Sequence, residues 1–223
     1  MRILVTAGPT REHLDPVRFL SNPSTGKMGF AVAKAAVEAG HDAILVSGPV
    51  SLKTPKGVSR VDVTSAREMF EAVKREFAEC DALVMTAAVA DWRPVECAEK
   101  KLKKRDMASE IKLVRNPDIL KSLKSANGKF KKSGKRKIMV GFAAETGAPV
   151  AEASRKCREK GLDFTVANDV TEPGAGFGVS TNRVTFVFPD GSIRKLPLLS
   201  KLDVARKIIT EISKPIAISP ESL

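Results

Sequence analysis

Four short blocks of this 223-residue chain hold the side chains that could do chemistry, and each follows an apolar run. The first spans Gly8 to Thr25 and carries Arg11, Glu12, Asp15, Arg18, Asn22 and Ser24. It closes on Ser24-Thr25-Gly26-Lys27, just before an amphipathic run. Backbone N–H groups at such a helix start, aided by the helix dipole, can bind an anion. Asp15-Pro16 and Asn22-Pro23 are also ordinary turn formers, so composition alone serves both uses. Eighteen residues is long for a strand–helix connection, and long ordered connections are commonly functional.

The second block, Thr86-Ala87-Ala88-Val89-Ala90-Asp91-Trp92-Arg93-Pro94, consists largely of small residues that admit a ligand close to the backbone. Asp91 suits a ribose hydroxyl, a cation or an amine, and equally a helix cap. The third, Gly141-Phe142-Ala143-Ala144-Glu145-Thr146, offers Phe142 either to a base or to the core. The fourth is Ala167-Asn168-Asp169-Val170, followed by the glycine-rich turn Pro173–Gly178. Between the second and third, Lys100–Arg105 sets five cations in six residues. Their repulsion disfavours rigid structure until a polyphosphate neutralises it. Mobile lysines closing over a triphosphate would stabilise charge on the α-phosphate and the departing pyrophosphate. No Ser–His or Cys–His pair is evident, and His13 and His41 have no matching acid spacing. Such a site would act by positioning and electrostatics.

Two familiar phosphate motifs are excluded. A dinucleotide fold needs a tight G-x-G-x-x-G after the first strand and an acidic residue ending the second; here the second strand ends Val46-Ser47-Gly48-Pro49. A P-loop needs Gly five residues before Gly26 and Ser or Thr after Lys27, where Ser21 and Met28 stand.

The elements that must position these blocks alternate. Residues 2–7 (RILVTA) read as a buried strand, 25–39 as a helix stopped by Gly40, and 43–47 and 59–63 as strands. Ser65-x-x-Glu68 is a capping box opening a second helix, followed by strand 82–86 and a helix from Pro117. Strand 137–142, helix 149–160 and strand 163–167 follow; a hairpin turning at Pro189-Asp190-Gly191 joins 183–188 to 193–196, and a helix covers 200–213. The alternation predicts an α/β fold: a Rossmann-like parallel sheet with helices on both faces, plus a C-terminal β-hairpin. Ligands in such folds bind at the carboxyl ends of strands near the switch point, here after Ala7, Thr86, Phe142 and Ala167. Residues 1–213 read as one nucleotide-binding domain with a basic insert at about 97–137, and 214–223 as a tail.

With 43% hydrophobic and 29% charged residues the chain can build a real core without disulfide or metal staples. No apolar run approaches the roughly 20 residues of a membrane span, and the N-terminus reads as a strand instead of a signal peptide. Three widely spaced cysteines without a CxxC argue against structural zinc and a secreted disulfide scaffold, so a cytoplasmic location is expected. The net charge of +12 is local: residues 100–137 hold 15 Lys/Arg and three acidic residues, and the remainder is neutral. An RNA-binding insert would interleave aromatics for base stacking, yet this one has only Phe130, so no nucleic-acid or membrane partner is expected.

The blocks TAGPTREHLDPVRFLSNPSTGKMG, TAAVADWRP, EKKLKK, RNPDIL, GFAAET and ANDV, in this order over about residues 2–213, resemble phosphopantothenoylcysteine synthetase. The resemblance implies a ligase of coenzyme A biosynthesis that activates 4′-phosphopantothenate with a nucleoside triphosphate and passes the acyl group to L-cysteine. Lys101-Leu102-Lys103-Lys104 is similar to the CTP-using branch, which implies an acyl-cytidylate, CMP and pyrophosphate, with Mg²⁺ accompanying CTP and its ligands unassigned. Carried over position by position, Asn22 and Lys101 are the expected catalytic residues. Met85, Thr86, Ala87, Asp91, Lys101, Pro117, Asp118, Ile119, Leu120, Phe142, Lys156 and Lys160 are expected at the nucleotide. Arg18, Asn22, Ala87, Ala88 and Asp91 are expected at phosphopantothenate, with Arg18 reaching across a homodimer interface. A fused or separate phosphopantothenoylcysteine decarboxylase is the expected partner. The usual Ser-Ser-Gly-Lys stands here as Ser24-Thr25-Gly26-Lys27, which keeps the hydroxyl.

Overall fold

The computed structural model describes residues 1–103, 110–132 and 136–214. Lys104, the last lysine of the basic motif, and the tail from residue 215 lie outside them. The chain opens with β1 (Arg2–Ala7), β2 (Arg11–His13), β3 (Phe19–Ser21), α1 (Lys27–Glu38), β4 (Asp42–Ser47), β5 (Val58–Asp62) and α2 (Ala66–Phe77). It continues with β6 (Ala82–Met85), β7 (Trp92–Pro94), β8 (Leu113–Arg115), α3 (Ile119–Lys132), β9 (Ile138–Glu145) and α4 (Pro149–Lys160). The last elements are β10 (Phe164–Asp169), β11 (Thr181–Asn182), β12 (Thr185–Val187), β13 (Ile193–Lys195), β14 (Leu199–Ser200) and α5 (Lys201–Ile212).

One eight-stranded sheet runs β13-β12-β10-β9-β6-β1-β4-β5. The strands from β10 to β5 are mutually parallel, and β12 and β13 extend the β10 edge as the antiparallel hairpin expected from Pro189-Asp190-Gly191. β1 sits between β4 and β6, so the winding reverses there and a crevice opens beyond its carboxyl end.

The period-two rule assigns the two faces of the sheet. Ile3, Val5 and Ala7 of β1 face α1 and α5, packing with Phe30, Val32, Ala36, Val204, Ile208 and Ile212. Leu4 faces the other layer with Met69, Val73 and Phe77 of α2 and Ile119, Leu120 and Leu123 of α3. Each of the large buried side chains contributes about 1.5–3 kcal/mol. The cap at α2 forms with its return bond one residue early: Ser65 accepts from the Glu68 N–H at 3.2 Å, while Glu68 accepts from the N–H of Thr64, not of Ser65, at 2.8 Å.

The long connection after β1 is not irregular. Residues 11–13 and 19–21 pair as a small antiparallel ribbon, and β7 pairs with β8 as another. Three-residue strands carry too few positions to show alternation, which is why the sequence hides them. The α3 helix begins at Ile119, two residues beyond Pro117, and three of its apolar residues sink into the core from within the basic stretch. Among the described residues, no helix is long and apolar enough to cross a membrane.

Candidate active site

The crevice beyond β1 is built by fastening distant loops to one another. Gly8, at φ 76°, turns the chain off β1, and its carbonyl accepts from the Ala88 N–H at 2.9 Å. Thr86 Oγ1 donates to the Thr6 carbonyl at 2.5 Å, the Thr6 hydroxyl accepts from the Ala87 N–H at 3.1 Å, and the Thr10 hydroxyl accepts from the Ala90 N–H at 3.0 Å. Asn22 Nδ2 donates to the Ala88 carbonyl at 3.0 Å, which brings the first block onto the second. Asn116 then ties the third loop in, its N–H donating to the Asp91 carbonyl at 2.8 Å and its Nδ2 to the Ala90 carbonyl at 2.9 Å. Gly29 makes the close approach possible: a Cβ there would stand 2.5 Å from both the Ala7 Cβ and the Thr86 hydroxyl.

The result is a cavity of about 800 Å³. Its wall includes Asn22, Met85, Thr86, Ala87, Ala88 and Asp91 on one side. Pro117, Asp118, Ile119, Leu120, Phe142, Lys156 and Lys160 form the other. Asp118 caps α3 by accepting from the Lys121 N–H at 2.9 Å, and its second oxygen pairs with Lys160. Lys156 donates to the Phe142 carbonyl. Burial holds the Lys156 ammonium below its ordinary pKa, against the opposing pull of Glu145, Glu152 and Asp91, and burial does the same to Lys160 against Asp91. A buried cation such as Lys156, whose hydrogen-bond partner here is a neutral carbonyl, suits an incoming polyphosphate.

Two expected residues stand apart from this wall. Arg18 lies on the β2–β3 ribbon, bonded to Asp15 at 2.5 Å and to the Leu102 carbonyl at 2.7 Å. Lys101 is exposed at the root of the basic stretch, next to Leu102. Glu12, which the sequence marked as a possible functional carboxylate, is buried and accepts from the Ala66 N–H at 2.9 Å at the start of α2.

The cavity also gathers residues to which the sequence reading gave no site role. Lys27 donates to the Gly178 carbonyl and Lys201 to the Gly176 carbonyl at 3.2 Å, so both hold the glycine-rich turn against the crevice. Lys201 is only 8% exposed, and burial with the nearby Lys27 charge keeps it below its ordinary pKa. Nothing in one dimension sets a first-turn lysine of the last helix beside residue 176. Trp92 lines the mouth under the Arg115 guanidinium, 5.1 Å from its ring centre.

The sequence profile of the DNA/pantothenate metabolism flavoprotein C-terminal domain matches residues 1–216. The chain belongs to this family. The coenzyme A biosynthesis bifunctional protein CoaBC of Bacillus subtilis is 50% identical over 212 residues, 95% of this chain and 50% of that protein. The chain thus spans about half the length of the curated relatives it matches. A crystal structure of the C-terminal domain of a CoaBC protein superposes with a TM-score of 0.77 at 43% identity, covering 95% of this chain and 93% of the other. A Cab2 variant in complex with phosphopantothenate-cysteine shares the fold, with a TM-score of 0.73 at 16% identity over 95% of this chain and 84% of that one. The Rossmann-like sheet expected from the strand–helix alternation is the fold of these solved structures.

Proposed function

We propose that this chain is a phosphopantothenate–cysteine ligase of coenzyme A biosynthesis. The convergence of Asn22, Asp91, Pro117–Leu120, Phe142, Lys156 and Lys160 on one crevice at the switch point supports this reading most directly. The names of the CoaBC relatives and the ligand of the Cab2 neighbour point the same way.

In this reading CTP lies along the cavity. Met85–Ala87, Pro117–Leu120 and Phe142 enclose the nucleoside, while Lys156 and Lys160 meet the phosphates. The 4′-phosphopantothenate carboxylate, set beside Asn22, Ala87 and Ala88, attacks the α-phosphorus. The bond to the β-phosphate oxygen breaks, giving an acyl-cytidylate and pyrophosphate. The cysteine amine then attacks the acyl carbon and loses its proton, and CMP leaves with the electron pair of the C–O bond. Lys101 closes over the phosphates, and Asp91 faces the ribose or the incoming amine. No protein nucleophile is required.

Among the described residues no group of three or more His, Cys, Asp or Glu is placed to hold a metal. The cavity carboxylates Asp91 and Glu145 fit instead a Mg²⁺ ion that takes most of its ligands from phosphates and water. When bound, it would neutralise charge on the triphosphate.

The homodimer belongs to the same proposal. Val17, Phe19, Val95, Leu113 and Val114 are exposed apolar residues on or beside the two small ribbons, a surface suited to a second copy that also carries Arg18 toward the neighbouring site. A fused or separate decarboxylase completes the expected partners. The test is product analysis by mass spectrometry after incubation with CTP, Mg²⁺, 4′-phosphopantothenate and L-cysteine. Stoichiometric phosphopantothenoylcysteine and CMP are expected; their absence from folded protein would overturn the reading.

A further inference from the structure

Asp15 is fully buried, and its two oxygens do different work. Oδ1 accepts from the Val17 and Arg18 N–H groups, both at 2.8 Å, which is a local turn that any Asp-Pro sequence could make. Oδ2 reaches further. It accepts from Arg18 Nε at 3.0 Å and Nη2 at 2.5 Å, and from the N–H of Leu102, 87 residues along the chain, at 3.2 Å. Arg18 Nη2 also donates to the Leu102 carbonyl at 2.7 Å. Both backbone groups of Leu102 are therefore held by side chains of the β2–β3 ribbon. One further backbone bond, from the Ala98 N–H to the Leu14 carbonyl at 2.9 Å, joins the same two segments. The Arg18 guanidinium, with these N–H donors, holds the Asp15 carboxyl well below the usual carboxylate range, so it stays charged at any working pH.

We propose that Asp15 is a positioning residue for the ligase reaction: it clasps Arg18 to the backbone of Leu102 and thereby sets where Lys101 stands. The inference rests on the ligase reading for its catalytic part only. A turn alone needs Oδ1; the three bonds to Oδ2 are unexplained by it. Lys101 has an exposed side chain, so its placement comes from the backbone beside it. Because a single carboxylate oxygen holds both Arg18 and Leu102, the arginine expected at the substrate phosphate and the root of the basic segment do not move independently. Removing one member of such a buried, charged bond set leaves the others unsatisfied.

The test is Asp15→Asn. The amide oxygen retains the turn, while the NH₂ group replaces Oδ2 and faces three donors. Hydrogen exchange over residues 98–103 is expected to accelerate at least tenfold, with protection of the sheet amides unchanged. Under steady-state conditions kcat should fall at least tenfold and KM for 4′-phosphopantothenate should rise, while KM for CTP stays within twofold. Ile208→Val, which loosens the α1–α5 layer, should move none of these. Asp15→Ser, which keeps a short acceptor for the turn, gives the same exchange increase if the Asn variant folds poorly. Exchange over 98–103 at the wild-type rate, or a uniform increase across the sheet, would overturn the clasp. If the wild-type chain itself makes no product, the ligase reading fails and the exchange data still decide the clasp.

Discussion

At the sheet end of the site, position comes from packing: Gly29 lets α1 lie against β1 and β6, Phe142 and Leu120 rest on the core, and threonine hydroxyls lock the small-residue loop. At the ribbon end, position comes from charge. Residues 98–103 bury little, and their anchor is one carboxylate, one guanidinium and the backbone bond from Ala98 to Leu14. The first arrangement suits a group that must be recognised in a fixed pose. The second holds the backbone at Leu102 and leaves the lysine side chains beside it exposed, which suits cations that must come and go with a polyphosphate.

The contrast can be broken at either end. Gly29→Ala should have the largest effect, since the added carbon meets the Thr6 carbonyl at 2.7 Å as well as two side-chain atoms. A loss of about 3 kcal/mol is expected from such overpacking, read as a lowered denaturant midpoint; a stability equal to wild type would show that the crevice is not tightly set. Lys101→Gln should leave the midpoint alone and lower kcat about a hundredfold, or ~2.7 kcal/mol, the size of a lost charge-stabilising donor. Unfolding as its main consequence would place Lys101 in the packed class instead. Lys156→Met should raise KM for CTP about tenfold, ~1.4 kcal/mol, with kcat less affected.

The pH dependence sharpens the same comparison. Burial puts the folded-state pKa of Lys156 below 10.5, so in the window between that value and 10.5 the unfolded chain binds the proton more readily. The group's contribution to stability is therefore fully present above 10.5 and is lost as pH falls through the folded value. A bound triphosphate reverses the sign by favouring the ammonium. Nucleotide binding in alkaline buffer should take up a proton, measurable as a buffer-dependent enthalpy in calorimetry; proton release would contradict it. The smallest effect is expected at the cysteines. Burial pushes the Cys80 thiol up to about 12 and raises Cys157 as well, so neither is a ready nucleophile. Cys157→Ala should keep kcat per folded molecule within about twofold.

Much of the packed end was legible in the sequence, and much of the charged end was not. Runs such as RILVTA and ALVM, the Ser65 capping box and the Pro189-Asp190-Gly191 turn carry local physics, so the sheet, its helices and the crevice followed from them. The β2–β3 and β7–β8 ribbons escaped because three-residue strands have no readable period and are fixed by the Asp15 turn and by each other. Asn22, Asp91 and Phe142 stood in marked blocks, Lys156 and Lys160 were expected only from the family resemblance, and all five meet in the cavity. Lys27 closes the first marked block, but its bond to Gly178, the place of Lys201 and the link from Asp15 to Leu102 depend on contacts between elements far apart in the chain, and no spacing rule reports those.

The most direct test is pyrophosphate release with CTP, ATP, GTP and UTP in turn, with Mg²⁺, in the presence and absence of 4′-phosphopantothenate and without cysteine. Release of about one pyrophosphate per site with CTP alone among the four, and only when phosphopantothenate is present, is the expected result, with turnover resuming on addition of L-cysteine. Release that needs no phosphopantothenate, or none with any nucleotide from folded protein, would contradict the assignment of this crevice to acyl activation.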